Sequence, residues 1–197
     1  KNIWISDVEK DQFTVYIGKY LRTFTAEEKE GSVEVVFTFD ATALEGTTTV
    51  VFETLYTENK EVAAHTDIND KGQTIYIPKI RTTAISDDTN DHVTKADEKI
   101  TLIDTVAFTS LEVGREYTVK GVLMNKATGK AITVNGKEVT ASATFTPKEK
   151  NGTVDVTFTF DSSLLAGNTI VVFENLYENN VKVIGHADIN DVNQTVE

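Results

Sequence analysis

Gly152-Thr153-Val154-Asp155-Val156-Thr157-Phe158-Thr159-Phe160 places valine or phenylalanine at every even position from Val154 onward and a polar residue at every odd one. Successive side chains of a strand point to opposite faces, so this alternation makes one apolar and one polar face; a helix would scatter the same residues around its axis. The stretch is a half-buried strand. An earlier segment repeats it, with Val33, Val35, Phe37 and Phe39 alternating against Ser32, Glu34, Val36, Thr38 and Asp40.

Further β-rich runs occupy Thr48–Glu53, Thr74–Ile77, Ile100–Phe108, Tyr117–Leu123, Thr140–Phe145 and Thr169–Glu174. Turn signals separate them at Glu30-Gly31, Glu45-Gly46, Val113-Gly114, Asn135-Gly136, Asn151-Gly152 and Ala166-Gly167. Asn135-Gly136 predicts a two-residue hairpin, because both residues tolerate the positive φ that such turns require. Many short strands, regular turns and no long helical pattern predict an all-β protein of tandem Ig-like β-sandwich repeats.

The duplication extends well beyond one strand. The interval that carries Gln73 to Gln194 also carries Phe24 to Phe145, Gly31 to Gly152, Phe39 to Phe160 and Glu53 to Glu174. Upstream of Phe24 the best match lays Lys1-Asn2-Ile3-Trp4-Ile5 over Lys120-Gly121-Val122-Leu123-Met124, leaving Arg81 to about Thr118 without a counterpart. The expected domains are therefore residues 1–78, the rear part of an N-terminally incomplete first repeat, and residues 79–197, a complete second one. A period this long is domain-sized, and the short join near Pro78-Lys79-Ile80 predicts repeats strung end to end.

Both copies keep a polar constellation. His65-Thr66-Asp67-Ile68-Asn69-Asp70-Lys71-Gly72-Gln73-Thr74 returns as His186-Ala187-Asp188-Ile189-Asn190-Asp191-Val192-Asn193-Gln194-Thr195, each preceded by a Val-Val-Phe-Glu strand ending at Glu53 or Glu174. An ionised carboxylate at the end of so apolar a strand is costly unless paired or protonated. The constellation reads either as a satisfied structural network or as a reactive site. His92, in the polar run Asp87-Asp88-Thr89-Asn90-Asp91, reads as solvated surface.

A net charge of −12 argues against nucleic acid and anionic membranes as partners, since both are bound mainly through clustered Lys and Arg. No apolar run reaches the roughly 20 residues of a membrane-spanning helix. Without cysteine the fold has no disulfide staple, which fits either the cytosol or disulfide-poor bacterial surface proteins. Asp67-x-Asn69-x-Lys71-Gly72 faintly suggests a calcium loop, but Lys71 occupies a ligand position and Asn193 replaces the glycine in the second copy, so no metal and no cofactor are expected.

The Val-Val-Phe-Glu strand, the His-x-Asp-x-x-Asp-x-x-Gln-Thr element and the opening strand Ile80-Arg81-Thr82-Thr83-Ala84 resemble the ester-bond domains that repeat along Gram-positive surface adhesins. So do Asp104-Thr105-Val106, Gly114 to Met124 and Ala143-Thr144-Phe145-Thr146-Pro147. The resemblance implies a self-formed ester between Thr82 on the first strand and Gln194 on the last, released ammonia and no turnover. It implies His186 as base and Asp191 with Glu174 as a carboxyl pair, with His65, Asp70, Glu53 and Gln73 as their first-repeat twins. It also implies a cell-surface location, anchored to the wall through the parent protein.

Two points stay open on the residues themselves. Thr82 and Thr83 face opposite ways in a strand, so only one can reach Gln194. Asp191 has the wrong parity to share a face with His186 and Gln194, so either a bulge or turn near Asn190-Asp191 redirects it, or Asp188, with Asp67 in the first copy, is the working acid. In the first repeat Thr14 and Thr23 fall on Thr133 and Thr144, so neither matches Thr82. Gln73 must then find its threonine further upstream in the polypeptide or on another chain. The rival readings are a Lys–Asn isopeptide stalk domain and an uncrosslinked adhesive module, for which Trp4, Tyr16 and Tyr20 are the sequence hint. A hydrolase fits less well, because no Gly-x-Ser-x-Gly element is present.

Overall fold

A computed structural model of the chain describes residues 2–5 as backbone and residues 12–197 in full. The side chain of Trp4 therefore lies outside the described residues. Contacts divide the chain into two compact units, Lys1–Leu44 with Thr48–Ile77, and Pro78–Glu197 with Glu45–Thr47. Among the described residues both are all-β, and the remaining regular structure there is four short 3-10 turns.

The first unit contains β1 (Asn2–Ile5), β2 (Gln12–Ile17), β3 (Tyr20–Thr25), β4 (Gly31–Glu34), β5 (Thr47–Val50), β6 (Glu53–Thr57), β7 (Lys60–His65) and β8 (Thr74–Ile77). Its main sheet runs β3-β2-β6-β7, and β1-β4 and β5-β8 form two-stranded ladders. Phe13, Val15, Ile17, Val33, Val35, Val51 and Leu55 make its core.

In the second unit, β9 (Lys79–Ser86), β10 (Ile100–Thr109) and β16 (Gly152–Phe160) form one sheet in the order β16-β10-β9. The other is built on β11 (Tyr117–Asn125) and β17 (Ile170–Glu178). β12 (Lys130–Ala131) and β15 (Thr140–Phe145) pair with β11, and β18 (Val181–His186) and β19 (Thr195–Val196) pair with β17. Between them β13 (Thr133–Val134) and β14 (Lys137–Glu138) make the small hairpin expected at Asn135-Gly136, whose φ angles are 53° and 76°. Leu102, Val106 and Phe158 from the first sheet meet Val119, Leu123, Val172 and Leu176 from the second in a common core. The two layers approach so closely at β11 that a Cβ on Gly121 would lie 2.6 Å from Phe158 Cζ.

Strand registers correct the upstream alignment of the repeats. β1 pairs Ile3 with Val33 and Ile5 with Gly31, just as β10 pairs Val106 with Val154 and Phe108 with Gly152. β1 is thus the counterpart of β10, and residues 2–5 lie over Thr105–Phe108 instead of the 120–124 segment. β2 matches β11 by the same logic, since Phe13 faces Phe24 as Tyr117 faces Phe145. Thr14 is therefore the counterpart of Thr118, not of Thr133, and both hydroxyls bond across the outer face, Thr14 to Thr23 and Thr118 to Thr144. The alignment had slipped because the second repeat replaces the tight Gly18-Lys19 turn with a long connection carrying β12 to β14.

The alternating stretch at Val33 is also shorter as a strand than its pattern suggests. In the second unit Thr157–Phe160 is held by Ile100–Ile103, whereas the described part of β1 reaches only to Glu34. Phe39 is half-exposed where its twin Phe160 is buried, while Val36, like its twin Thr157, lies on the outer face.

Candidate functional site

Lys79–Ser86 alternates buried and exposed positions, and the alternation decides between the two threonines. Thr82 is 4 % exposed and shares the interior face with Ile80, Ala84 and Ser86; Thr83 points outward. Opposite it, β10 sends Leu102, Asp104, Val106 and Phe108 into the same interior. β9 in turn packs beside β18, β19 and the 3-10 turn Val192–Gln194. The first and last strands of the second unit are thereby neighbours, and Thr82 and Gln194 are both buried there.

The turn exists because Asp191 caps it. Its Oδ1 accepts from Asn193 N at 2.8 Å, while its Oδ2 lies 2.7 Å from His186 Nε2. This break in the strand between His186 and Gln194 supplies the change of direction that parity demanded. Asp188 is exposed and accepts from Asn190 N, which leaves it outside the buried cluster. Asp67 does the same for Asn69 in the first repeat.

The expected pairing of Asp191 with Glu174 requires correction. Asp191 is committed to the cap and to His186, and the carboxyl that shares a hydrogen bond with Glu174 is Asp104. Glu174 and Asp104 are both fully buried. Loss of hydration pushes Glu174 up to about 11, reinforced by its hydrogen bond and charge interaction with Asp104 and opposed by the nearby Thr82 hydroxyl. Asp104 is also raised by burial, but the hydrogen bonds from Glu174 and Gln194 and the charge of His186 favour its ionised form. Glu174 therefore keeps the proton and donates it, and Asp104 carries the charge.

Gln194 Nε2 donates to Asp104 Oδ1 at 3.2 Å, so the ionised member of the pair already touches the amide nitrogen. Gln194 Oε1 is buried without a hydrogen-bond partner, and the buried Thr82 hydroxyl is directed at the Glu174 carboxyl. Leaving the Gln194 oxygen unpaired costs about 1–3 kcal/mol. The arrangement holds a hydroxyl, a carboxamide and a one-proton carboxyl pair together away from water.

Asp104 is the residue that the sequence reading missed. Its signal was available: an acid at the even, apolar parity of Leu102-Ile103-Asp104-Thr105-Val106 has the same pattern as Glu174 between Val172 and Leu176. In the first repeat Glu53 faces His65 across the ladder, as Glu174 faces His186. His65 Nε2 lies 2.7 Å from Asp70 Oδ2, and Asp70 Oδ1 accepts from Gly72 N. Gln73 Nε2 donates instead to Glu53 Oε2 at 2.9 Å. The position matching Asp104 falls on residue 1, outside the described residues. No group of three or more metal-ligating side chains occurs among the described residues.

The family model for the T-Q ester bond containing domain matches residues 7–77 and again residues 78–197. The chain belongs to the T-Q ester bond domain family. It holds two such domains in tandem. Among solved structures, two crystal forms of a bacterial adhesin from Mobiluncus mulieris containing intramolecular disulfide, isopeptide and ester bond cross-links are similar. One matches at 18% identity and a TM-score of 0.50, the other at 16% and 0.51; each match covers 60% of this chain and 56% of the adhesin chain. At these identities the likeness is one of fold. This chain spans little more than half of that adhesin chain. No curated protein matches it.

Proposed function

We propose that the second T-Q domain crosslinks itself once, through an ester between Thr82 Oγ1 and Gln194 Cδ. The observation that carries this reading is the burial of the Thr82 hydroxyl against the Glu174 carboxyl, and of an unpaired Gln194 carboxamide oxygen, beside a carboxyl pair that retains one proton. A free hydroxyl is a poor nucleophile and a carboxamide a poor electrophile, so placement and proton handling must supply the rate. Holding the two groups on adjoining elements can be worth about 7–11 kcal/mol of barrier.

In this scheme the Thr82 proton passes to the carboxyl pair as Oγ1 bonds to Gln194 Cδ. The tetrahedral intermediate then expels its nitrogen, which takes a proton from the pair along the existing Asp104 contact and leaves as ammonia. One C–O bond forms, one C–N bond breaks, and the pair ends with the single proton it began with. His186, held by Asp191, acts through its charge on Asp104 and through the geometry of the turn; it is a positioning residue more than the base. No substrate turns over, so the domain is not an enzyme in the usual sense.

The ester would join the first and last strands of the domain, so tension applied at its ends would bypass everything between. With the domains in tandem and a fold like that of a bacterial adhesin, we read the chain as part of a surface adhesin's stalk. No helix among the described residues is long and apolar enough to cross a membrane. Gln73 has the same His, Asp and Glu around it, and its threonine would come from a strand placed like β9, supplied by preceding polypeptide or by a second chain.

Intact mass is the test. A second domain lighter by one ammonia supports the reading if peptide digestion maps the loss to Thr82 and Gln194 and mild alkali opens the link by taking up one water, leaving a free Thr82 hydroxyl and a side-chain carboxylate at position 194. A link that survives alkali would instead indicate an isopeptide, and a mass equal to the sequence would reject the crosslink.

A further inference from the structure

We infer that the outer face of the first domain's main sheet is a binding site for a neutral oligosaccharide. A groove of about 720 Å³ runs over β2, β6 and the turn after β6. Tyr16, Tyr56 and Phe52 supply its aromatic surface; Tyr16 is 37% exposed, Phe52 is 40% exposed, and the two tyrosine rings meet edge to face at 5.2 Å. Gln12, Thr54 and Asn59 line the same groove with side chains that both donate and accept hydrogen bonds.

That mixture matches a sugar, whose ring carries apolar C–H faces that stack on aromatic rings and a rim of hydroxyls that need donors and acceptors together. The charge balance narrows the class. Among the described residues of the lining Glu58 is the single acid and no Lys, Arg or His joins it, on a chain of net charge −12. Sialylated, uronic or sulfated glycans would meet repulsion there with no cation to offset it, so the ligand is uncharged.

The second domain provides an internal comparison. By register Tyr16 corresponds to Lys120 and Tyr56 to Tyr177, because Tyr16 faces Thr54 and Leu21 as Lys120 faces Asn175 and Ser142. There the Lys120 ammonium lies 4.7 Å from the Tyr177 ring centre and covers it. The second domain thus occupies its aromatic surface with its own side chain, whereas the first presents two rings. The groove lies on the sheet face opposite to Glu53, so the site is independent of the crosslink.

The test is binding of the whole 197-residue chain to an array of uncharged oligosaccharides, followed by NMR titration of the best one. We expect saturable shifts confined to residues around Tyr16, Phe52 and Tyr56. Tyr16→Lys, which installs the second domain's arrangement, should weaken binding by about tenfold or more. It should leave the folded spectrum and the crosslink mass unchanged. Tyr56→Phe, which keeps the ring, should retain binding. Failure of every uncharged glycan to bind, equal binding by Tyr16→Lys, or tighter binding of a pentalysine peptide than of any sugar would overturn the proposal.

Discussion

Replacing Thr82 by Val removes the proposed nucleophile while keeping the β-branched shape of the side chain. The swap gives up only the contact between Oγ1 and the Glu174 carboxyl, worth about 1–3 kcal/mol at most, so a loss of stability beyond that reports the missing crosslink. An ester from Thr82 to Gln194 closes a loop of roughly 110 residues, for which the chain-entropy relation gives about 5 kcal/mol of stabilisation through the unfolded state. Spread over the unfolding entropy of a domain of this size, that is about 20 °C in Tm. Circular dichroism melts of the wild-type chain and of Thr82→Val would measure it, with intact mass recorded on the same samples. Thr83→Val serves as control, since Thr83 faces solvent and should change neither mass nor Tm. An unchanged melting point in a Thr82→Val sample whose mass confirms the missing link would refute the stabilising role. Loss of the link in Thr83→Val but not in Thr82→Val would refute the assignment of the nucleophile.

Asp104→Asn should fold and remain at the mass of the sequence, because the amide cannot share the proton that Glu174 holds; a quantitatively formed ester in this variant would remove Asp104 from the mechanism. Asp191→Ala should crosslink, but slowly, since it loosens the turn carrying Gln194 by about 1 kcal/mol and frees His186 while leaving both members of the carboxyl pair in place; time-resolved mass spectrometry after refolding distinguishes delay from abolition. The unlinked Thr82→Val chain should lose stability as pH rises. Glu174 is raised from an ordinary 4.5 to about 11, so above pH 4.5 the unfolded chain releases a proton that the folded one keeps. Its urea midpoint should therefore fall between about pH 5 and about pH 9, and Glu174→Gln in the same background should flatten the slope. Gly121→Ala should cost about 1–3 kcal/mol by driving a methyl into Phe158 across the sandwich, as read from urea unfolding of the unlinked background; a neutral result would mean the two sheets separate easily there.

The strand pattern was legible because burial on one face imposes a period of two on the sequence. Val154 to Phe160 and the Asn135-Gly136 turn could be read directly, and so could the tandem repeat. Two other turns, Glu58-Asn59 and Asn179-Asn180, use the same positive φ at both residues but lack a glycine to announce it. The alignment of residues 2–5 went astray for a different reason. Short apolar strands resemble one another in composition, and only the ladder partner, Val33 for Ile3 as Val154 for Val106, says which strand is which.

The sequence by itself determined the fold class, the duplication, and most residue types of the site: an acid in an apolar strand, an aspartate after it, a histidine, a glutamine and a pair of candidate threonines. Tertiary structure decided the rest. It turned Thr82 inward and Thr83 outward, gave Asp191 to the turn and to His186, and brought Asp104 from a strand 70 residues away in the chain to share a proton with Glu174. Proton sharing depends on distance and on exclusion of water, and both are set by how the strands pack, which no spacing along a single strand records.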